Sequence, residues 1–181
     1  MISCRAGGVS LRVHFSFLLF NALFFLFLPE RAGDFYISCI LHELGHILTA
    51  AALGQRLLSV DMRGTGILMI PEKKAAAPFS HGLAVLLSGP AVNLLLWAAA
   101  SGELAGTSLA LGLYNLLPYS QLDGGAVLEL LISGTSGERT ARRVLLGAKL
   151  VLSAGLFIVS LRDVRAIPLL IVSVLLLAGD M

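Results

Sequence analysis

The segment Ile37–Ala50, ISCILHELGHILTA, sets two histidines and a glutamate into an otherwise apolar run. Ionisable side chains at membrane depth cost about 2.5–3.5 kcal/mol each on insertion scales, so three of them on one arc need a compensating partner. On an α-helix, His42 and His46 project from the same face, one turn apart. Two imidazoles at that spacing can chelate one zinc ion, and Glu43 beside them suits a general base acting on water at the metal.

The alternative for these histidines is structural. A histidine in a membrane helix can simply hydrogen-bond to a neighbouring helix, and the short pattern H-E-x-x-H also recurs by chance. We favour the metal, because a divalent cation would compensate the burial of His42, Glu43 and His46 together. Cys39 lies near the same arc, but a buried cysteine is more often a small apolar filler, and both Cys4 and Cys39 are predicted to be free thiols.

The composition excludes an ordinary soluble domain. The chain has 181 residues, of which 57% are hydrophobic and 13% are charged, and its mean hydropathy is +0.89. Soluble domains are about a quarter charged, so most of this surface must face lipid or other helices. The net charge of +2 is too small to suggest nucleic-acid binding. We therefore expect one membrane domain over residues 1–181, with the lipid bilayer as its surroundings and no nucleic-acid partner.

The apolar runs predict an all-α polytopic membrane protein with about six transmembrane helices. A helix needs roughly 20 apolar residues to cross a bilayer, and six runs approach that length: 13–28, 35–53, 82–100, 104–117, 144–161 and 167–178. The first run resembles a signal peptide, but no small-x-small cleavage pattern follows it, so we expect it to be retained. Two short apolar runs around Gly64 and Gly66 predict a β-hairpin between the second and third helices, the alternative being an amphipathic loop.

The distribution of basic residues predicts the orientation. If both termini are cytoplasmic, ten basic residues lie inside and three outside, together the 13 Lys and Arg of the chain. That excess favours a multi-pass protein of a bacterial cell membrane with cytoplasmic N- and C-termini. The inner ten are Arg5, Arg12, Arg56, Arg63, Lys73, Lys74, Arg139, Arg142, Arg143 and Lys149, and the outer three are Arg31, Arg162 and Arg165.

A second polar constellation lies in a break of the helical pattern. Pro118 cannot continue a helix without losing a backbone hydrogen bond, and Gly124 and Gly125 loosen the chain further. Irregular backbone at membrane depth occurs where it lines a cavity or is buried in protein. Asp123 sits in this break and could complete a His₂Asp set of zinc ligands. The alternative is that Asp123 is only the N-cap of the following helix.

Two asparagines in apolar surroundings, Asn93 and Asn115, have two interpretations. An inward amide could bind a substrate carbonyl or stabilise an oxyanion. It could equally make an interhelical hydrogen bond, worth about 0.6 kcal/mol on average. The residues alone leave both interpretations open.

Three motifs together resemble the site-2 protease family of intramembrane zinc metalloproteases, peptidase family M50. They are HELGH at 42–46, SGPAVN at 88–93 and NLLPYSQLDGG at 115–125. The resemblance is strongest to the short bacterial branch that contains the sporulation factor IVFB protease. It implies one zinc ion held by His42, His46 and Asp123, with Glu43 as the catalytic base. It also raises the expectation that Asn93 acts on the substrate or an oxyanion.

The resemblance implies an intramembrane zinc metalloendopeptidase acting on membrane-spanning or membrane-associated protein substrates, under the control of other membrane proteins. Relatives carry CBS or PDZ domains, and we expect neither here, because the sequence ends soon after its last predicted span. The alternatives are a catalytically inactive homologue that binds membrane partners and a zinc-handling membrane protein. The full set of base, ligands and asparagine argues against the first, and the lack of internal repeats argues against the second.

Overall fold

The computed structural model describes residues 2–6, 8–55, 57–63, 66–71, 78–162 and 174. They belong to two compact units, Met1–Asn115 and Leu116–Met181. The sequence-based expectation of a single domain over residues 1–181 stays a prediction.

The helices of the first unit follow the predicted apolar runs. Helix α1 spans Phe15–Phe27, α2 spans Ala32–Ala52, α3 spans Phe79–Ala99 and α4 spans Gly102–Asn115, and a 3₁₀ turn at Pro29–Arg31 joins α1 to α2. Helix α2 packs against both α3 and α4. Its approach to α3 is close at Gly45, where an added Cβ would lie 2.9 Å from the carbonyl oxygen of Ser88. Glycine at this position therefore fixes how near the histidine-bearing helix comes to its neighbour.

The predicted hairpin is present, but it is only half of a sheet. Strands β1 (Ile2–Ala6), β2 (Val9–Val13), β3 (Leu57–Arg63) and β4 (Gly66–Pro71) form one sheet in the order β1-β2-β3-β4. The pairs β1–β2 and β3–β4 are antiparallel, and β2 pairs parallel with β3. The expectation of an otherwise all-α chain is therefore wrong at the N-terminal end. The parallel pairing joins segments that a whole helical hairpin separates, and no local pattern reports such a partner.

The second unit contains α5 (Asp123–Ser136) and α6 (Glu138–Arg162). The predicted break around Pro118 is confirmed, since α4 ends at Asn115 and α5 begins at Asp123. The fifth predicted span, 144–161, lies within α6. The sixth, 167–178, falls outside the described residues apart from Val174.

Among the described residues, two helical segments are long and apolar enough to cross a bilayer, Pro29–Ala52 and Phe79–Ala99. Helix α1 is apolar but shorter. Large apolar side chains project outward from these helices, including Phe27 (73% exposed), Leu48 (65%) and Leu95 (69%). Exposed apolar surface of this extent fits contact with lipid. The number of six spanning helices stays a prediction.

Candidate metal centre

The two histidines of α2 converge as their spacing requires. His42 and His46 are buried, at 4% and 7% exposure, and their Nε2 atoms lie 3.1 Å apart. Ligands about 2.0–2.1 Å from a tetrahedral zinc ion are about 3.3 Å from each other. The separation of the two nitrogens therefore suits two ligands of one ion.

The far side of the His46 ring fixes which nitrogen can bind a metal. Its Nδ1 lies 2.7 Å from the backbone carbonyl oxygen of Val85 on α3. A carbonyl can only accept, so Nδ1 must carry the proton, and in the neutral ring Nε2 then keeps its lone pair. Sequence reasoning missed Val85, because a backbone carbonyl has no side-chain signature.

The far side of the His42 ring meets Asn93, which is fully buried. The Nδ2 atom of Asn93 lies 3.1 Å from His42 Nδ1, while its Oδ1 is buried without a hydrogen-bond partner among the described residues. The two ends of a side-chain amide have nearly the same shape, and the hydrogen-bond network decides between them. With Oδ1 turned to the ring, the amide accepts the Nδ1 proton, and in the neutral ring Nε2 of His42 keeps its lone pair.

Gly89 on α3 lets the backbone of this helix lie directly against both imidazole rings. An added Cβ at this position would overlap His46 Nε2 and lie 2.7 Å from His42 Nε2. Glycine at this position therefore sets how near α3 comes to the histidine-bearing face of α2. Beyond the Gly-Pro pair, nothing in the sequence indicates this close approach, and Pro90 does not break α3, which continues through it to Ala99.

The predicted site residues Glu43 and Asn115 also belong to the first unit. Glu43 is half-buried and follows His42 directly on α2. Asn115 ends α4, and its Nδ2 donates to the carbonyl oxygen of Leu111 at 3.1 Å. One amide donor of Asn115 is therefore used within its own helix.

In the second unit, Asp123 is the first residue of α5, after a turn formed by residues 116–122. The N-cap is Leu122, so the alternative that Asp123 is the N-cap is wrong by one residue. A carboxylate in the first turn is favoured by the helix dipole. Asp123 is half-buried.

Two glycines after Asp123 let the turn lie directly on α5. An added Cβ on Gly124 would overlap the carbonyl oxygen of Leu116 and lie 2.8 Å from its Cα, and one on Gly125 would overlap the carbonyl oxygen of Tyr119. These glycines therefore permit close backbone packing that holds the turn, where the sequence suggested only added flexibility.

Helix α6 holds the same turn from the side. Lys149 is buried, at 4% exposure, and its Nζ donates to Ser120 Oγ at 2.7 Å. The Tyr119 hydroxyl lies 3.3 Å from Ser153 Oγ. Lys149 is therefore an internal support for the turn. Its place among the ten basic residues on the cytoplasmic side stays a prediction.

Comparisons with known proteins found a family model, a relative and a solved structure that are similar to this chain. The model of peptidase family M50 matches residues 97–161, a range that contains Asp123 but not the two histidines. A protein of Synechocystis sp. named "Putative zinc metalloprotease" is 34% identical over 120 residues, which is 58% of this chain and 31% of that protein. The chain thus spans about a third of the length of this relative.

The fold is similar to that of a solved structure, the site-2 protease from Methanocaldococcus jannaschii. The TM-score is 0.67 with 20% sequence identity, and the similarity covers 97% of this chain and 91% of that one. This match concerns the fold.

Proposed function

Because the family match, the relative and the similar fold support membership of the site-2 protease family, peptidase family M50, we propose that the chain is an intramembrane zinc metalloendopeptidase. Its substrates would be membrane-embedded or membrane-associated proteins. The observation that carries this proposal is the buried His42–His46 pair, whose Nε2 atoms lie 3.1 Å apart on a helix apolar enough to cross a bilayer.

We propose that His42, His46 and Asp123 bind one zinc ion. In support, the two imidazoles are paired on one face of α2, and Asp123 begins α5 with its carboxylate half-buried. Two imidazole nitrogens and one carboxylate oxygen resemble the His₂Glu sets of catalytic zinc, which keep one position open. When bound, zinc supplies Lewis acidity, which polarises a carbonyl and makes water acidic near neutral pH.

The residues beside the proposed ligands have separate proposed roles. Glu43 is proposed to take a proton from the attacking water and pass it to the leaving amine, as a general base and then acid. Asn93 is proposed to hold His42 in the tautomer that is protonated at Nδ1 and has its lone pair on Nε2, and its contact with Nδ1 supports this. The predicted role of Asn93 or Asn115 in binding substrate or an oxyanion stays a prediction.

A transmembrane substrate must expose an extended segment, because its helical carbonyls are engaged in i to i+4 hydrogen bonds. Strand β4 lies at the edge of the described sheet. We propose that this edge receives the unwound segment by strand addition, which supplies main-chain hydrogen bonds whatever the side chains are.

The direct experiment compares, by proteomics, the cleavage products of membrane proteins in host cells that carry the wild-type protein with those in cells that carry Glu43→Gln. The variant keeps the size of the side chain but removes the base, so we expect cleavage products to disappear while zinc stays bound. Glu103→Gln is the matched control. Glu103 is exposed, and in the described part of the chain its one ion pair is with Arg31, at 3.8 Å. Products that persist in Glu43→Gln would remove Glu43 from its role. A wild type that binds zinc but yields no products would indicate an inactive homologue.

A further inference from the structure

One face of the sheet gathers hydroxyl and guanidinium groups. The strand registers pair Ser3 with Arg12 and Arg5 with Ser10, and the parallel register then pairs Ser10 with Ser59. Residues paired across strands share a face, and so do alternate residues along one strand. These five side chains therefore lie on the same face of β1, β2 and β3.

A cavity of about 560 Å³ opens on this face, lined by Ser3, Arg5, Ser10, Arg12 and Ser59 together with Cys4 and Leu58. Its volume is within the range of ligand sites. Three hydroxyls and two guanidiniums give a lining rich in hydrogen-bond donors, and no carboxylate contributes to it. The lining thus suits an anion with several acceptor oxygens.

Arg12 is held in place at the floor of this cavity. Its Nε lies 2.8 Å from Oδ1 of Asp61, and its guanidinium donates to Ser59 Oγ at 2.9 Å. Asp61 and Ser59 are both buried, at 2% exposure. A guanidinium has five N–H donors. The bond to Ser59 Oγ uses one of them, and the contact between Nε and Oδ1 of Asp61 is an ion pair without a hydrogen bond. Asp61 and Ser59 therefore hold Arg12 in place and leave most of its donors unused by these two contacts.

The charges around the cavity do not cancel. Arg63 also lies 3.7 Å from Asp61, so one buried carboxylate stands against two guanidiniums. Arg5 adds a third positive charge, and among the described residues it takes part in no ion pair. Among the described residues, these three guanidiniums and one carboxylate give the face a net charge of +2, which attracts anions.

The sheet lies at one end of the apolar helices. Strand β2 ends at Val13 and α1 begins at Phe15, α2 ends at Ala52 before β3 begins at Leu57, and β4 ends at Pro71 before α3 begins at Phe79. Since α2 and α3 are long enough to cross a bilayer, this end lies at the level of the lipid headgroups. Basic clusters at that level attract anionic lipids by about 1 kcal/mol per Lys or Arg.

We propose that the cavity lined by Ser3, Arg5, Ser10, Arg12 and Ser59 binds a phosphate group, carried by an anionic lipid headgroup at the bilayer surface. The same chemistry would accept a soluble phosphate compound, and the two sources can be separated by experiment. Binding at this face is distinct from the proposed peptide hydrolysis and does not depend on it.

The test titrates the purified full chain in micelles with short-chain phosphatidylglycerol or phosphatidylcholine and counts bound lipid by native mass spectrometry. We expect phosphatidylglycerol to bind at least tenfold more tightly. Arg5→Gln should weaken that binding about tenfold, since a hydrogen bond to a charged group is worth that much or more. Arg5→Lys, which keeps the charge, should lose less. Arg142→Gln on α6, an exposed residue with the same change of charge, is the control and should bind normally.

Inorganic phosphate in excess separates the two sources. Phosphatidylglycerol that stays bound identifies the lipid headgroup, and phosphatidylglycerol that is displaced identifies a soluble phosphate ligand of the same site. Equal affinity for the two lipids would overturn the proposal, and so would equal losses in Arg5→Gln and Arg142→Gln. Arg5 is exposed and has no ion pair in the described part of the chain, so its replacement should not prevent folding.

Discussion

At the scale of single residues, the candidate metal centre depends on the absence of a side chain at Gly89, because a Cβ there would overlap the imidazoles. His42, Glu43 and His46 were predictable, because helical spacing alone places them on one arc. Gly89 and the Val85 carbonyl were not, because their contribution comes from the distance between α2 and α3. Sequence spacing within one helix says nothing of what a second helix brings against it.

The replacement Gly89→Ala should abolish zinc binding. The added methyl would overlap His46 Nε2 and must displace one or both imidazoles. Gly106→Ala on α4 is the matched control, because nothing lies within 4 Å of a Cβ there. Zinc content of the purified proteins, measured by mass spectrometry of the metal, checks this. Full zinc content in Gly89→Ala would mean that the ion is held elsewhere.

For Asn93, two variants separate a positioning role from a substrate role. Asn93→Ala removes the partner of His42 Nδ1 and should weaken zinc affinity about 10–100-fold, as loss of such partners usually does. Asn93→Asp can still accept the Nδ1 proton and should restore most of that affinity. Chelator competition gives the affinities. If Asn93→Ala binds zinc normally but cleaves poorly, Asn93 acts on the substrate as the sequence suggested.

At the scale of elements, the break at residues 116–122 was predictable, but the contacts that hold this turn against α5 and α6 were not. Pro118 and the glycine pair marked where the helix stops. The sequence did not indicate that backbone carbonyls lie on the first turn of α5, or that Lys149 and Ser153 hold the turn from α6. The N-terminal strands were missed because basic residues before an apolar run resemble the flank of a membrane helix.

Gly124→Ala should destabilise this turn by about 1–3 kcal/mol, the usual range for overpacking. The methyl would meet backbone atoms of Leu116, which cannot rotate away as a side chain can. Thermal unfolding of the purified protein measures the effect. Gly147→Ala on α6 is the control, because a Cβ there meets nothing within 4 Å. A midpoint for Gly124→Ala equal to that of the control would contradict the packing described for the turn.

At the scale of the whole molecule, the distribution of basic residues predicts that the N-terminal sheet lies on the cytoplasmic side of the membrane. The chain has two cysteines, and Cys4 on β1 is an exposed free thiol. In a Cys39→Ala background, we expect a membrane-impermeant maleimide to label Cys4 only in inverted vesicles or permeabilised cells. Labelling in intact cells would reverse the predicted orientation.

The composition was enough to predict a membrane protein, and the order of motifs was enough to suggest its chemistry. The number of spanning helices could not be settled from apolar runs alone. The run 144–161 is part of a longer helix whose other residues are mostly charged, and Lys149 within the run is buried in protein. Hydropathy does not distinguish a face turned to lipid from one turned to a neighbouring helix.

We propose that one zinc ion is held by His42, His46 and Asp123. The zinc affinity of the purified full chain is the measurement that decides this. Asp123→Ala should lose more than the 10–100-fold typical of a residue that only supports a ligand. Glu129→Ala, which removes a carboxylate further along α5, should bind zinc like the wild type. Wild-type affinity in Asp123→Ala would contradict the claim.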